Sequence, residues 1–96
     1  MFNIVIKKLQ NGENVIHKGK GNSMTPLIKS GQPVELEPIT WQDAQVKDMV
    51  YCKVRGMVTT HLVTAKNEKK GCQISNNHGH VNGWTKSVYG KVIKVL

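Results

Sequence analysis

The segment Gly21-Asn22-Ser23-Met24-Thr25-Pro26 places a serine between a glycine and the start of a helical pattern. Met24, Leu27 and Ile28 fall at i, i+3 and i+4 with Pro26 close to the first turn, which predicts a short helical turn beginning at Ser23 or Met24. Upstream, Lys18-Gly19-Lys20-Gly21 is a flexible break, and Gly21 permits backbone angles closed to residues that carry a Cβ. A chain that bends this sharply into a helix start exposes a side chain beside N–H groups that have no intrahelical acceptor. Ser23 is therefore a candidate nucleophile, and the backbone N–H groups of Asn22 and Ser23 are candidates to face an oxyanion. A serine at a helix start also serves as an N-cap, and residue type alone leaves both readings open.

Working outward, Ser30-Gly31-Gln32-Pro33 ends the turn. Val34, Leu36 and Pro38 then alternate with Glu35 and Glu37 as in a half-buried strand that stops at the proline. Trp41 to Lys47 reads as a loop or brief helix. Met49 to Val54 and Met57 to Ala65 are β-rich runs separated by Arg55-Gly56, a long hairpin with His61 in the middle of its second strand. Lys66 to Gly71 is a polar connection, Cys72 to Ser75 is strand-like, Asn76-Asn77-His78-Gly79-His80 breaks it, and Val88 to Leu96 is a last strand. On the N-terminal side, Phe2 to Leu9 and Val15-Ile16 flank Gln10-Asn11-Gly12-Glu13, which predicts a hairpin around an Asn-Gly turn. There is no internal repeat, low-complexity tract or linker, and helical periodicity is nearly absent. One compact, mainly β domain over residues 1–96 is expected, with long hairpins and a short helical turn after the serine.

The formal charge is +8, and from Lys47 onward nine basic residues face only Asp48 and Glu68. This bias leaves two readings open, a solubilising surface and a basic surface for nucleic acid or an acidic protein. Cys52 and Cys72 lie far apart and form no C-x-x-C pair, so neither a disulfide framework nor a zinc ribbon is indicated, which suits a reducing compartment. No apolar run reaches the roughly 18 residues of a membrane span, and no secretory signal pattern opens the chain. The expectation is a soluble, cytoplasmic protein without a membrane anchor. Cys72 with His78 and His80 offers zinc-type ligands but no obvious fourth one, so neither a metal nor any other cofactor is expected.

The motif around Ser23 resembles the type I signal peptidases and the self-cleaving LexA-like repressors, whose nucleophile sits in Gly-x-Ser-Met or Ser-x-Ser-Met followed by a proline. Ile28 to Pro38 is similar to the family's passage out of the serine turn through a glycine into a strand, with Gln32 where an Asp is usual. Val46-Lys47-Asp48-Met49-Val50 is similar to its Gly-Asp-(Ile/Val)-Val segment, with Lys47 at the glycine position. Met57 to Val63 corresponds to the strand on which most members carry a general-base lysine and the endoplasmic-reticulum-type enzymes carry a histidine; His61 stands there. Ile74-Ser75-Asn76-Asn77 and Tyr89-Gly90-Lys91-Val92-Ile93 resemble the family's closing turn and strand, so the likeness spans roughly Gly21 to Leu96.

The resemblance implies a LexA/signal-peptidase-like β domain and a serine endopeptidase with Ser23 as nucleophile and His61 as general base. A neutral imidazole, with an ordinary pKa near 6.5, accepts the serine proton at pH 7 without the desolvation a lysine base requires. Reticulum-type members orient their histidine with acidic residues near the C-terminal turn, and this chain has none there. Asn76, Asn77 and Asn82 stand in that neighbourhood, and Asn76 and Asn77 are the candidates to orient the base. Its partner would be a peptide or protein substrate. The LexA likeness also implies a homodimer through C-terminal strands as a further option, and a small member without an anchor would suit a virus or mobile element. The rival reading is an inactive member of the same fold that uses its basic surface to bind nucleic acid or protein.

Overall fold

The computed structural model describes residues 3–96. Its first element is a helix, α1 (Ile4–Gln10), where the sequence reading expects a strand; Phe2, the start of that expected strand, lies outside the described residues. Capping explains the difference. The Asn3 side chain accepts hydrogen bonds from the N–H groups of Val5 and Ile6 at 2.9 and 3.1 Å. At the other end Gly12, with φ 86, donates to Leu9 O while Glu13 N donates to Lys8 O, a complete Schellman closure. Asn11-Gly12 thus ends a helix instead of turning a hairpin. The β-branched residues cost helix propensity, but tertiary burial of Leu9 against Leu36 and Val92 outweighs a few tenths of a kcal/mol per residue. Gly90 makes that contact possible, since a Cβ there would lie 3.0 Å from a Leu9 methyl.

Seven strands follow: β1 (Val15–Lys18), β2 (Pro33–Pro38), β3 (Met49–Val54), β4 (Met57–Asn67), β5 (Gly71–Ser75), β6 (Val81–Thr85) and β7 (Val88–Val95). They form a single sheet in the order β1-β2-β7-β3-β4-β5-β6, with every neighbouring pair antiparallel. The architecture is mainly β, as expected, with one short helix. β6 lies between the expected break at Asn76–His80 and the expected last strand, in residues assigned to no element from the sequence, where Asn82 and Gly83 are poor strand formers. Gly83 lets β6 come close to the end of β3, where Val54 and Arg55 side chains lie 3.3–3.4 Å from its missing Cβ.

β3 serves two cores through its two-residue alternation. Val50, Cys52 and Val54 join Val63, Cys72, Ile74 and Val88 in one cluster, while Tyr51 points the other way into the cluster of Leu9, Leu36 and Val92. The β3–β4 turn uses Arg55 and Gly56, both at positive φ, as a two-residue hairpin connection requires. Lys47 also adopts φ 81, so the backbone bend that a glycine makes without cost is made here by a lysine. No helix is long and apolar enough to cross a membrane among the described residues.

Candidate active site

The serine turn is a loop between β1 and β2 whose neck is closed by a Gly31 N to Gly19 O hydrogen bond of 2.8 Å. Gly21, at φ 110, donates its N–H to Ser30 Oγ at 3.1 Å. A single helical turn closes from Ile28 N to Met24 O at 3.0 Å, matching the predicted onset at Ser23 or Met24 without lengthening into a regular helix. Met24 is buried beneath the turn, which leaves Ser23 above it, half-buried. Among the described residues, the N–H groups of Asn22 and Ser23 are paired with no backbone or side-chain acceptor.

His61 comes from the middle of β4, opposite Val50 of β3 and on the same face as Val63. It is buried, and its Nε2 lies 2.9 Å from Ser23 Oγ, within the ~2.6–3.2 Å reach that proton transfer needs. The other ring nitrogen, Nδ1, meets Asn82 Oδ1 at 2.8 Å. An amide oxygen only accepts, so Nδ1 carries the proton and Nε2 presents its lone pair to the serine hydroxyl. Ser23 Oγ–H then donates to Nε2, which is the arrangement of a nucleophile and its base. Burial lowers the His61 pKa below its ordinary 6.5; the Asn82 hydrogen bond opposes that shift, and nearby His80 adds to it. The imidazole is accordingly neutral at pH 7.

The orienting residue is Asn82 of β6 and not Asn76 or Asn77. Asn76 caps its own turn, its Oδ1 accepting from His78 N and His80 N. Asn77 instead grips the serine turn: its N–H donates to Ser23 O at 2.8 Å and its Nδ2 to Thr25 O at 2.9 Å. His78 assists, its Nε2 donating to Asn22 O at 3.0 Å. The β5–β6 hairpin therefore performs two tasks, holding the serine turn with its own turn and the His61 ring with its second strand. These contacts bridge 21 residues or more, so no local pattern distinguishes Asn82 from its two asparagine neighbours.

Among the described residues, no group of three or more His, Cys, Asp or Glu side chains converges as metal ligands. Cys52 and Cys72 are buried free thiols, and burial pushes Cys52 up to about 12, with Cys72 adding to the shift. A thiol so far from ionising is a core residue, not a nucleophile.

A cleft of about 420 Å³ opens beside Ser23, its lining including residues 17–21 and Val58, Thr59 and Thr60. β5 pairs with β4 only from Leu62 onward, so along Met57–His61 one edge of β4 has no strand partner among the described residues. That edge borders the cleft. Compared with protein-family models and with curated proteins, the sequence matches none.

Proposed function

We propose that the protein is a serine endopeptidase-like domain of the signal-peptidase and LexA type, hydrolysing a peptide bond through Ser23 with His61 as general base. The observation that carries this reading is the relay Ser23 Oγ, His61 Nε2, His61 Nδ1, Asn82 Oδ1, with hydrogen bonds of 2.9 and 2.8 Å. A peptide lies extended along the open edge of β4 and adds as a strand. Ser23 Oγ attacks the scissile carbonyl carbon while its proton passes to Nε2. The resulting oxyanion faces the N–H groups of Ser23 and Asn22, donors of a type whose removal elsewhere costs about a hundredfold or more. The imidazolium, held by Asn82 Oδ1, returns its proton to the leaving amine. Water, deprotonated by the same Nε2, then opens the acyl ester. Asn82 stabilises the cation less than a carboxylate would, so turnover is slow for this class.

The test is labelling of the purified protein with an uncharged fluorophosphonate, read by intact mass against Ser23→Ala and His61→Ala. A single adduct on the native chain, none on Ser23→Ala and a rate lowered about 10²–10⁴-fold in His61→Ala are expected. Equal labelling of all three proteins would remove the peptidase reading.

A second reading, a basic module that binds single-stranded nucleic acid, is favoured by the pairing of cations with tryptophans: Lys66 and Lys86 lie over the Trp41 ring and Lys70 over Trp84. Such aromatic and cationic groups offer stacking and phosphate neutralisation together. An affinity for oligonucleotides that falls steeply with salt supports it, and flat behaviour removes it.

A further inference from the structure

The cleft beside Ser23 carries charge of one sign only. Lys18, Lys20 and Lys29 line it, and no aspartate or glutamate does. The ion pair among the described residues, Lys91 with Asp48, lies elsewhere, so these three lysines meet no carboxylate of their own chain. The cleft lining also includes the apolar side chains of Ile28 and Val58, with the buried Met24, Val34 and Tyr51 behind. Thr59 and Thr60, from the stretch of β4 that β5 leaves unpaired, line it as well. An occupant complementary to this cleft has backbone groups to pair with β4, an apolar side chain for Ile28 and Val58 and negative charge for the lysines. A polynucleotide supplies the charge but neither the strand-pairing backbone nor the aliphatic side chain.

We propose that the cleft selects an extended acidic peptide, one with aspartate or glutamate side chains running along Lys18, Lys20 and Lys29 and an aliphatic residue seated against Ile28 and Val58. The charge selection rests on the peptidase reading for its purpose but not for its measurement, because binding can be read without cleavage. Attraction across a solvent-open cleft is screened over roughly 10 Å at 0.1 M salt and over about 3 Å at 1 M, so selection weakens as salt rises.

The experiment is calorimetric titration of the full chain carrying Ser23→Ala with three hexapeptides of matched aliphatic content, one acidic, one neutral and one basic. The acidic peptide is expected to bind about tenfold or more tighter than the neutral one at low salt, with most of that margin lost at 1 M. Adding Lys20→Glu and Lys29→Glu should turn the preference toward the basic peptide. Lys66→Glu with Lys70→Glu, which changes the chain's overall charge equally but beside Trp41 and Trp84, should leave the acidic preference in place. Equal affinities, or an acidic preference that survives Lys20→Glu/Lys29→Glu, overturn the proposal, as does an oligothymidylate that displaces the acidic peptide from the cleft at lower concentration than the peptide itself. Acidic binding without fluorophosphonate labelling of the native protein sinks the peptidase reading and leaves the charge selection standing. Labelling with no acidic preference does the reverse.

Discussion

Ser23 and His61 meet at 2.9 Å, yet the segments that carry them are held in opposite ways. His61 belongs to a sheet region whose neighbours Val50, Val63 and Ile74 are fully buried, and its place follows from strand register. Ser23 belongs to a turn whose residues are largely exposed and which is tied down by separate hydrogen bonds, one from Gly21 N–H to Ser30 Oγ and others from Asn77 and His78. Displacing a strand residue means breaking packing, whereas displacing the turn means exchanging hydrogen bonds with water, each worth about 1 kcal/mol net. Core stability and the placement of Ser23 are therefore separable in this molecule: the His61 side is rigid because it is core, and the Ser23 side is adjustable.

Four substitutions test that contrast. The largest effect is expected for Ile74→Ala, which empties a fully buried site in β5 and should cost about 2–5 kcal/mol in urea unfolding. A cost under 1 kcal/mol would mean that the His61 side is not the rigid half.

Asn82→Asp comes next. A carboxylate in place of the amide oxygen strengthens the bond to the imidazolium, and fluorophosphonate labelling should accelerate about five- to tenfold. The pH profile gives a second readout. In the native chain burial holds the His61 pKa below 6.5, so the limb on which labelling falls with pH should have its midpoint below 6.5. A buried neutral histidine also contributes stability that is present above the unfolded-state value of 6.5 and is lost as pH falls through the lower folded-state value. Asn82→Asp should move the labelling limb to higher pH; an unmoved limb would remove Asn82 as the partner of the base.

Asn77→Ala deletes the Nδ2 bond to Thr25 O but keeps the backbone bond to Ser23 O. A loss of about 1 kcal/mol is expected, together with severalfold slower labelling and an unchanged pH limb, the signature of a displaced nucleophile with an intact base. A shifted limb would show that the two regions are not independent. The smallest effect belongs to Lys47→Gly. Relieving φ 81 should raise stability by up to about 1 kcal/mol, less what the freer unfolded chain takes back, without changing the labelling rate. Unfolding midpoints at matched slopes check this.

Much of the architecture is readable from residue order. β2, β3, β4, β5 and β7 fall where alternating or β-rich runs lie, and the β3–β4 turn falls on Arg55-Gly56. Two elements are not readable. α1 shares its β-branched composition and its Asn11-Gly12 ending with a hairpin, and the choice between them depends on whether Leu9 finds the hole above Gly90. β6 carries Asn82 and Gly83, poor strand formers kept in the sheet by pairing with β5. Propensity reports on a residue's own backbone, and both outcomes were set by partners far along the chain.

For the site, the sequence alone determined that Ser23 would stand at an exposed turn, because Gly21 and the Met24, Leu27, Ile28 spacing act within a few residues of it, and that His61 would lie mid-strand. Only the tertiary structure decided that the two would touch, that Asn82 and not Asn76 or Asn77 would hold the imidazole, and that Asn77 and His78 would grip the serine turn. The physical reason is range. Turn and strand preferences are local, but which of three asparagines faces a ring is fixed by sheet register, where a shift of one residue sends a side chain to the opposite face.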